Sequence, residues 1–443
     1  MNKTKIFTLV FLSGCFAGPL MARQGPAAPL RLTLEKALQS ADTINLQVLM
    51  ANARVEQAIA RIAESQADLL PHFDGTVSGG RQTADLRSEG LSLPGLHPHV
   101  GPYNNFDARP RVTMAIFDFS ALARFQAARK GEKLSEAESG KTREDVLALV
   151  ADLFIDAQRK QQTVKLLQAL LARDRMAYGL SQESLSQGTG TQLDTSKDRS
   201  DLEQTQYLLA QAGQQAQDAC LDLEAALQIP LGRALVFVDD NDFLKAMEKN
   251  AQGNSGARAN ADVVMATWQL ESLKADQKTA YADFLPKISG SAEYGRAGAS
   301  PERGSNTYDV GLTVSVPIWE GGRTQARLKE ARAQVKEARE NLEDATQQQE
   351  VNIAKARAAI EEADDLRQAK AQQRRTAQRS LLIALQARQV GSGTVLAVVQ
   401  AKAQLALAED DDHEARAAWI MAYIDLLHAQ GGLRKLVNFK EEE

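Results

Sequence analysis

Residues 285–332 read LPKISGSAEYGRAGASPERGSNTYDVGLTVSVPIWEGGRTQARLKEAR, and the order of events in this stretch decides the fold. A helix ending Ala282-Asp283-Phe284-Leu285 stops at Pro286, because proline disfavours helical geometry in the residue before it and cannot extend the ladder. From Lys287 the side chains alternate. Ile288, Gly290, Ala292 and Tyr294 share one face, and Lys287, Ser289, Ser291 and Glu293 share the other, which is the period of a strand. Ala297 to Asn306 is turn chemistry. The return strand sets Tyr308, Val310, Leu312, Val314, Val316 and Ile318 against Thr307, Asp309, Gly311, Thr313 and Ser315. It ends Pro317-Ile318-Trp319-Glu320-Gly321-Gly322-Arg323, and an alanine-rich helix follows.

The same sequence of events occurs earlier in the chain. Ala67-Asp68-Leu69-Leu70-Pro71 precedes a strand from His72, and a return strand carries Phe106, Ala108, Val112, Met114 and Ile116 on one face before ending Ile116-Phe117-Asp118-Phe119-Ser120. Gln187-Gly188-Thr189-Gly190-Thr191 is echoed by Val390-Gly391-Ser392-Gly393-Thr394, a self-similarity at a shift of about 200 residues that marks an internal duplication. Val48, Met50, Ala51 and Ala67 before the first proline answer Val263, Met265, Ala266 and Ala282 before the second.

The intervening segments read as long helices. Ser120 to Gln187 holds no proline, and Val146, Val150, Leu153, Ala157, Val164, Leu167 and Leu171 follow a coiled-coil spacing. At 1.5 Å per residue such a helix is on the order of 100 Å long. The chain turns at Gly188 and Gly190 and returns from Thr191 to Leu227; the second half predicts a helix from Gly322 to Arg388, a turn, and a return helix to Gln430. Shorter helices are predicted over Leu32–Ala41 and Leu46–Leu70, a short strand at Leu235-Val236-Phe237-Val238, and a long exposed loop from Asp85 to Asn104 around Pro94, Pro98 and Pro102. Each return helix plus the helix before a strand pair roughly matches a long helix in length, so the two short ones can stack end to end beside it.

The organisation expected is therefore a signal peptide at 1–22, a first repeat at 23–229, an equatorial connector at 230–257, a second repeat at 258–431 and a tail at 432–443. Lys3 and Lys5 followed by the apolar run Ile6 to Phe11 give the leader its character, and two cleavages are open: after Ala22, or at Leu12-Ser13-Gly14-Cys15, which resembles a lipobox that would place lipid on Cys15.

Composition narrows the function classes. Aromatics make up 5% of 443 residues, too little bulky apolar matter for several large cores, whereas alanine and glutamine suit long helices with thin seams. The net charge of −5, with both signs interleaved along Lys329–Arg339 and at Arg374-Arg375, gives no footprint for nucleic acid. His72, His97, His99, His413 and His428 lack the count and spacing of a metal site, including beside Asp410-Asp411-Asp412, and these segments read as solvated faces. Gly253 to Gly256 lacks the strand and helix context of a phosphate loop. No nucleophile, base and orienter assemble, so an enzyme is not expected, and neither is a cofactor.

Narrow alanine seams flanked by charge on both sides place water on two sides of each helix, as in the wall of a water-filled tube. Beyond the leader, no apolar run reaches the roughly 18–20 residues of a membrane-spanning helix, so any crossing is made by strands. Four strands of about ten residues can cross an outer membrane but cannot close, and three protomers would complete a twelve-stranded barrel. The predicted fold is thus mainly α: a coiled-coil helical barrel joined to a transmembrane β-barrel, four strands per protomer, internally duplicated and closed as a trimer. An exported coiled-coil stalk or adhesin without a pore is the alternative, and it gives no reason for two alternating strand pairs after matching prolines.

Leu285-Pro286, Val316 to Arg323 and the repeated turns resemble the TolC-like outer-membrane efflux family, and the resemblance covers nearly all of the chain after the leader. It implies a passive exit duct in the outer membrane of a Gram-negative bacterium, joined to a periplasmic adaptor and an inner-membrane RND or ABC pump. Cargo would be small molecules, metals, or protein by type I secretion. It further implies adaptor docking at the tips, Gly188, Thr189 and Gly190 in the first repeat and Val390, Gly391 and Ser392 in the second, with Gln187 where the family carries valine. Carboxylates that narrow the periplasmic mouth fall at Asp194 and Asp198, where the second repeat has Ala397 and Gln400.

Overall fold

A computed structural model describes residues 29–85, 99–238, 243–245, 247 and 259–437; the leader, Cys15, His97 and Gly253–Gly256 lie outside them. The elements in chain order are β1 (Leu30–Leu32), α1 (Leu34–Ile44), α2 (Leu46–Ala67), β2 (His72–Asp85), β3 (His99–Asp118), α3 (Phe119–Ser186), α4 (Gln192–Ala226) and β4 (Leu235–Phe237). There follow α5 (Ala261–Ala282), β5 (Lys287–Gly298), β6 (Gly304–Ser315), α6 (Arg323–Gln389), α7 (Val395–Ala429) and α8 (Leu433–Val437).

The helices form a wall one helix thick. Helix α3 carries α2 and α4 along one side and α5 and α7 along the other, and α6 packs on α5 and α7. The short helices abut in the way the length arithmetic requires. Asn45 caps α2 by accepting the amide of Gln47 at 2.8 Å, and its Nδ2 donates to the carbonyl of Ala226 at the end of α4, 2.9 Å away. In the second repeat Asn260 caps α5 by accepting the amide of Val263 at 2.9 Å, and the backbone of Gly431 beyond α7 lies so close that an added Cβ would stand 3.0 Å from the Asn260 Cα. Helix α3 has 68 residues and α6 has 67, α2 and α5 have 22 each, and α4 and α7 have 35 each.

The large apolar side chains are concentrated at mid-height. Leu34, Leu38, Leu147, Val150, Phe154, Leu223, Ile424 and Leu427 meet where α1, α8 and the β1–β4 pair press on α3, α4 and α7. Buried Glu144 on α3 accepts the amides of Leu433 and Arg434 at 3.2 and 3.3 Å, fastening α8 to this core. Away from it, seams are built from small residues such as Ala331, Ala338, Ala356, Ala363 and Ala377 of α6, which let helices approach closely. No helix among the described residues is long and apolar enough to cross a membrane.

Strands β2, β3, β5 and β6 form one antiparallel sheet in that order, open at β2 and β6. Its two faces differ in character. Phe73, Val112, Ala292 and Val310 lie in register across all four strands on one face, and Phe73 and Val310 are 79% and 75% exposed. Apolar side chains standing in a row with nothing over them suit lipid. Where strands meet helices, aromatic side chains gather: Phe117 stacks edge-on to Phe119 at 4.9 Å, Tyr281 lies 6.4 Å from Phe284, and Trp319 is 80% exposed. Such a girdle marks the boundary between hydrocarbon and water.

Four expectations need correction. The loop predicted over Asp85 to Asn104 is shorter, because β2 runs to Asp85 and β3 starts at His99. Pro102 is accommodated where the register shifts between Gln82 and Ala84, a place that needs no ladder amide from it. The second return strand ends at Ser315 rather than Ile318; Pro317 breaks the ladder and leaves Ile318 93% exposed. Leu32 belongs to β1, which pairs in parallel with β4, so the predicted strand at Leu235 has a partner some 200 residues away. Finally, Asp410-Asp411-Asp412 is not wholly solvated: Asp412 is fully buried, with Arg374 at 3.3 Å and Arg416 at 3.2 Å.

Candidate functional site at the hairpin tips

The two hairpin ends are built alike from different residues. Helix α3 ends with Gly188 at φ 72°, and the amides of Thr189 and Gly190 both donate to the carbonyl of Ser184, at 2.9 and 3.0 Å. Helix α6 ends with Gly391 at φ 82°, and Ser392 and Gly393 both donate to Ala387, at 2.9 Å each. The hydroxyls of Thr189 and Ser392 donate to those same carbonyls, each at 3.1 Å. These bonds occupy carbonyls that a helix end leaves without partners.

Two glycines serve two different needs. Gly188 and Gly391 supply the left-handed backbone, with open space where a side chain would be. Gly190 and Gly393 have ordinary backbone angles but no room, since an added Cβ would stand 2.9 Å from the Leu185 nitrogen and 2.8 Å from the Arg388 nitrogen. The chain then enters the return helices through threonine caps: Thr191 accepts the amide of Asp194, and Thr394 that of Ala397, each at 3.1 Å.

Here the repeats diverge. The Thr191 hydroxyl also donates to the Asp194 carboxylate, 2.6 Å away, so Asp194 closes a capping arrangement and stands in the positive field of the α4 N-terminus. Ala397 cannot do this. Asp198 is half-buried one turn on, beside a cleft of about 350 Å³ lined also by Arg173, Asp174, Asp201, Gln400 and Gln404. Apolar exposure is placed differently at the two tips: Val390 is 79% exposed at the second, and at the first, where Gln187 replaces the valine, Leu193 is 79% exposed instead.

A network just behind the first tip was not anticipated. Asp174, buried in the α3–α4 seam, accepts the Thr205 hydroxyl at 2.6 Å and pairs with Arg173 at 2.7 Å. Its signal was present in the sequence, because Asp174 continues the seam spacing Val164, Leu167, Leu171 where an apolar residue is due. A buried carboxylate with both oxygens engaged fixes the register of two helices whose alanine seams would otherwise slide. Among the described residues no group of side chains could hold a metal ion. The arrangement offers shaped polar surface and backbone.

The family model for outer membrane efflux proteins matches residues 37–227 and 256–432, most of the chain in two halves. The chain belongs to that family. It is accordingly an outer-membrane protein of the efflux-channel type, with its helical part in the periplasm. Among relatives of the family, it is 25% identical to the pyoverdine export outer membrane protein OpmQ of Pseudomonas aeruginosa over 92% of this chain and 85% of that one. It is 24% identical to the alkaline protease secretion protein AprF of the same species over 64% of this chain, and the match spans only 60% of AprF. Among solved structures, the Campylobacter jejuni CmeC outer membrane channel superposes with a TM-score of 0.75 at 18% identity, covering 92% of this chain and 89% of that one. The Vibrio cholerae outer membrane protein VceC gives 0.71 at 20% identity, covering 90% and 96%.

Proposed function

We propose that three copies of this chain close into one body, a twelve-stranded barrel continuous with a tunnel of helices, and that this body is the passive outer-membrane duct of a tripartite export system. The observation that carries the reading is the agreement of its open edges. The sheet is unpaired at β2, on the side where α2 and α4 have α3 as their long-helix neighbour and none beyond, and at β6, on the side where α6 has no long helix beyond it among the described residues. The helices flanking the two edges expose large apolar residues, Met50, Ile59 and Tyr207 on α2 and α4 and Leu382 and Ile383 on α6. Unpaired strand edges are not tolerated in lipid, and unlike edges join head to tail into rings.

The tips then project farthest into the periplasm and are the place for an adaptor to dock, with Gly188, Thr189, Gly190, Val390, Gly391 and Ser392 as contacts and Asp194 and Asp198 at the rim. An inner-membrane RND or ABC pump selects the cargo and supplies the energy. Relatives serve pyoverdine export in one case and alkaline protease secretion in another, so the cargo class follows the pump rather than the duct.

The test combines assembly and docking. Unheated protein should migrate as a trimer, a photo-crosslinker at Ser392 should capture the adaptor, and Gly391→Asp should abolish export while leaving the trimer intact. Adaptor crosslinks confined to the strand loop near Gly304, with none at Ser392, would refute the orientation. At the other end of the chain, palmitate labelling lost in Cys15→Ser identifies a lipoprotein, and an unlabelled chain starting after Ala22 identifies ordinary cleavage.

A further inference from the structure

The face of the sheet opposite the apolar one carries a row of charge in register across all four strands. Asp74 of β2 pairs in register with Arg111 of β3, Arg111 with Glu293 of β5, and Glu293 with Asp309 of β6. All four lie opposite the apolar face of Phe73, Val112, Ala292 and Val310, because each is one residue away from it along its strand. The neighbouring rows on either side are Thr76, Arg109, Gly295 and Thr307, and His72, Thr113, Ser291 and Gly311. Fixed charge on this face is therefore gathered in this row, with Arg109 in the row beside it, and with strands tilted about 40° such a row climbs about 9 Å along a barrel axis.

Part of that charge is internally compensated. Glu293 takes Arg109 on one oxygen and Arg111 on the other, each at 2.6 Å, and Arg109 also pairs with Asp107 at 2.7 Å. Two guanidiniums thus balance two carboxylates. Asp74 and Asp309 are exposed and have no salt bridge among the described residues. Both stand on the edge strands that ring closure brings side by side.

We propose that this row forms a cation-selecting belt inside the barrel, with Asp74 and Asp309 as its uncompensated charges and Glu293 as the carboxylate that holds two guanidiniums neutral. The inference rests on the duct reading above. Twelve strands about 4.8 Å apart and tilted about 40° give a barrel radius of about 12 Å to the backbone, from which side chains reach several ångströms inward. A permeating ion therefore passes within about 8 Å of the belt, one Debye length at physiological salt. Six unbalanced carboxylates around a trimeric ring attract cations and repel anions over the whole opening.

Purified trimer in a planar lipid bilayer under a KCl gradient provides the test. The reversal potential should lie on the potassium side, and the preference should shrink at molar salt, where the Debye length is about 3 Å. The double variant D74N/D309N takes the net charge of these six side chains from −2 to 0 per protomer and should move the reversal potential toward zero; E293Q alone leaves −1 and should move it about half as far, while D74N/D309N/E293Q, at +1, should pass zero toward chloride. Should E293Q fail to assemble, D74N/D309N decides, since it leaves the Arg109–Glu293–Arg111 unit whole. An unselective wild type or an unaltered reversal potential in D74N/D309N overturns the belt. Trimers that pass no current both as wild type and as D194N/D198N, which lacks the carboxylates placed at the mouth, refute the duct itself, a result distinct from conduction without selectivity.

Discussion

Val310→Arg should keep the protein out of the outer membrane. Strand β6 has twelve residues, so at about 3.4 Å per residue and a tilt of about 40° it spans about 30 Å of membrane. Val310 is its seventh residue, near the midplane, on the face shared with Phe73, Val112 and Ala292, and 75% exposed in the single chain. Arginine at that depth costs about 2–4 kcal/mol in an outer-membrane barrel, and about three times that when every protomer of a trimer carries it. Even the lower single-site figure is about thirtyfold in an equilibrium. Thr313→Arg, three residues nearer the helices on the opposite face, places the same charge in water. The amount of trimer in isolated outer membranes, read on unheated gels, should fall steeply for Val310→Arg and little for Thr313→Arg. Equal losses would refute the assignment of lipid and lumen faces.

Gly190→Ala should loosen the first hairpin end by about 1–3 kcal/mol through overpacking against the Leu185 backbone. Gly188→Ala, strained only in its backbone, should cost about 1 kcal/mol; hydrogen exchange over 184–190 separates them, and equal effects would be wrong for this geometry. Asp412→Asn leaves Arg374 and Arg416 without their buried carboxylate. Because those side chains are 29% and 41% exposed, the usual penalty for a broken buried pair is discounted to about 2–3 kcal/mol, measurable by denaturant unfolding, where no change would sink the argument. Burial raises the pKa of Glu144, an effect its backbone N–H partners Arg434 and Leu433 only partly offset. An acid with a raised folded pKa binds its proton more tightly when folded, so its contribution is most favourable below the ordinary 4.5 and declines as pH rises through the folded value. Protection of amides 433–437 should therefore be no weaker at pH 5 than at pH 8, and Glu144→Gln should flatten the dependence; undocking of α8 in mild acid would contradict this.

Local regularity was legible in the sequence, and distant pairing was not. The alternation from Tyr308 to Val314, the stops at Pro71 and Pro286 and the unbroken helical spacing before Gly188 each depend on neighbours within a few residues, which periodicity reports. The β1–β4 pair does not: Leu30 and Leu235 are brought together by the helices between them, and three residues carry no period. The alternation also overran at Val316 and Ile318, because side-chain pattern continued past the point where Pro317 removed the ladder. At the tips, the glycines were visible but not their division of labour, which depends on the 2.9 Å approach to Leu185 rather than on residue type. The spacing of Thr191 and Asp194 did contain the capping signal. A reading of Asp194 as a mouth carboxylate alone passed over it.

The matched helix lengths make the molecule a ruler. Because α2 equals α5 and α4 equals α7 residue for residue, while α3 and α6 differ by one, both hairpins finish at the same height below the girdle. A closed ring of such hairpins ends in a level rim, on which a partner can seat around its whole circumference. Taking seven residues from each arm of one hairpin would drop half the tips by about 10 Å and leave a crenellated edge. Taking them from both hairpins would shorten the conduit yet keep its rim flat, so the reach of such a duct can change only when both halves of the duplicated chain change together.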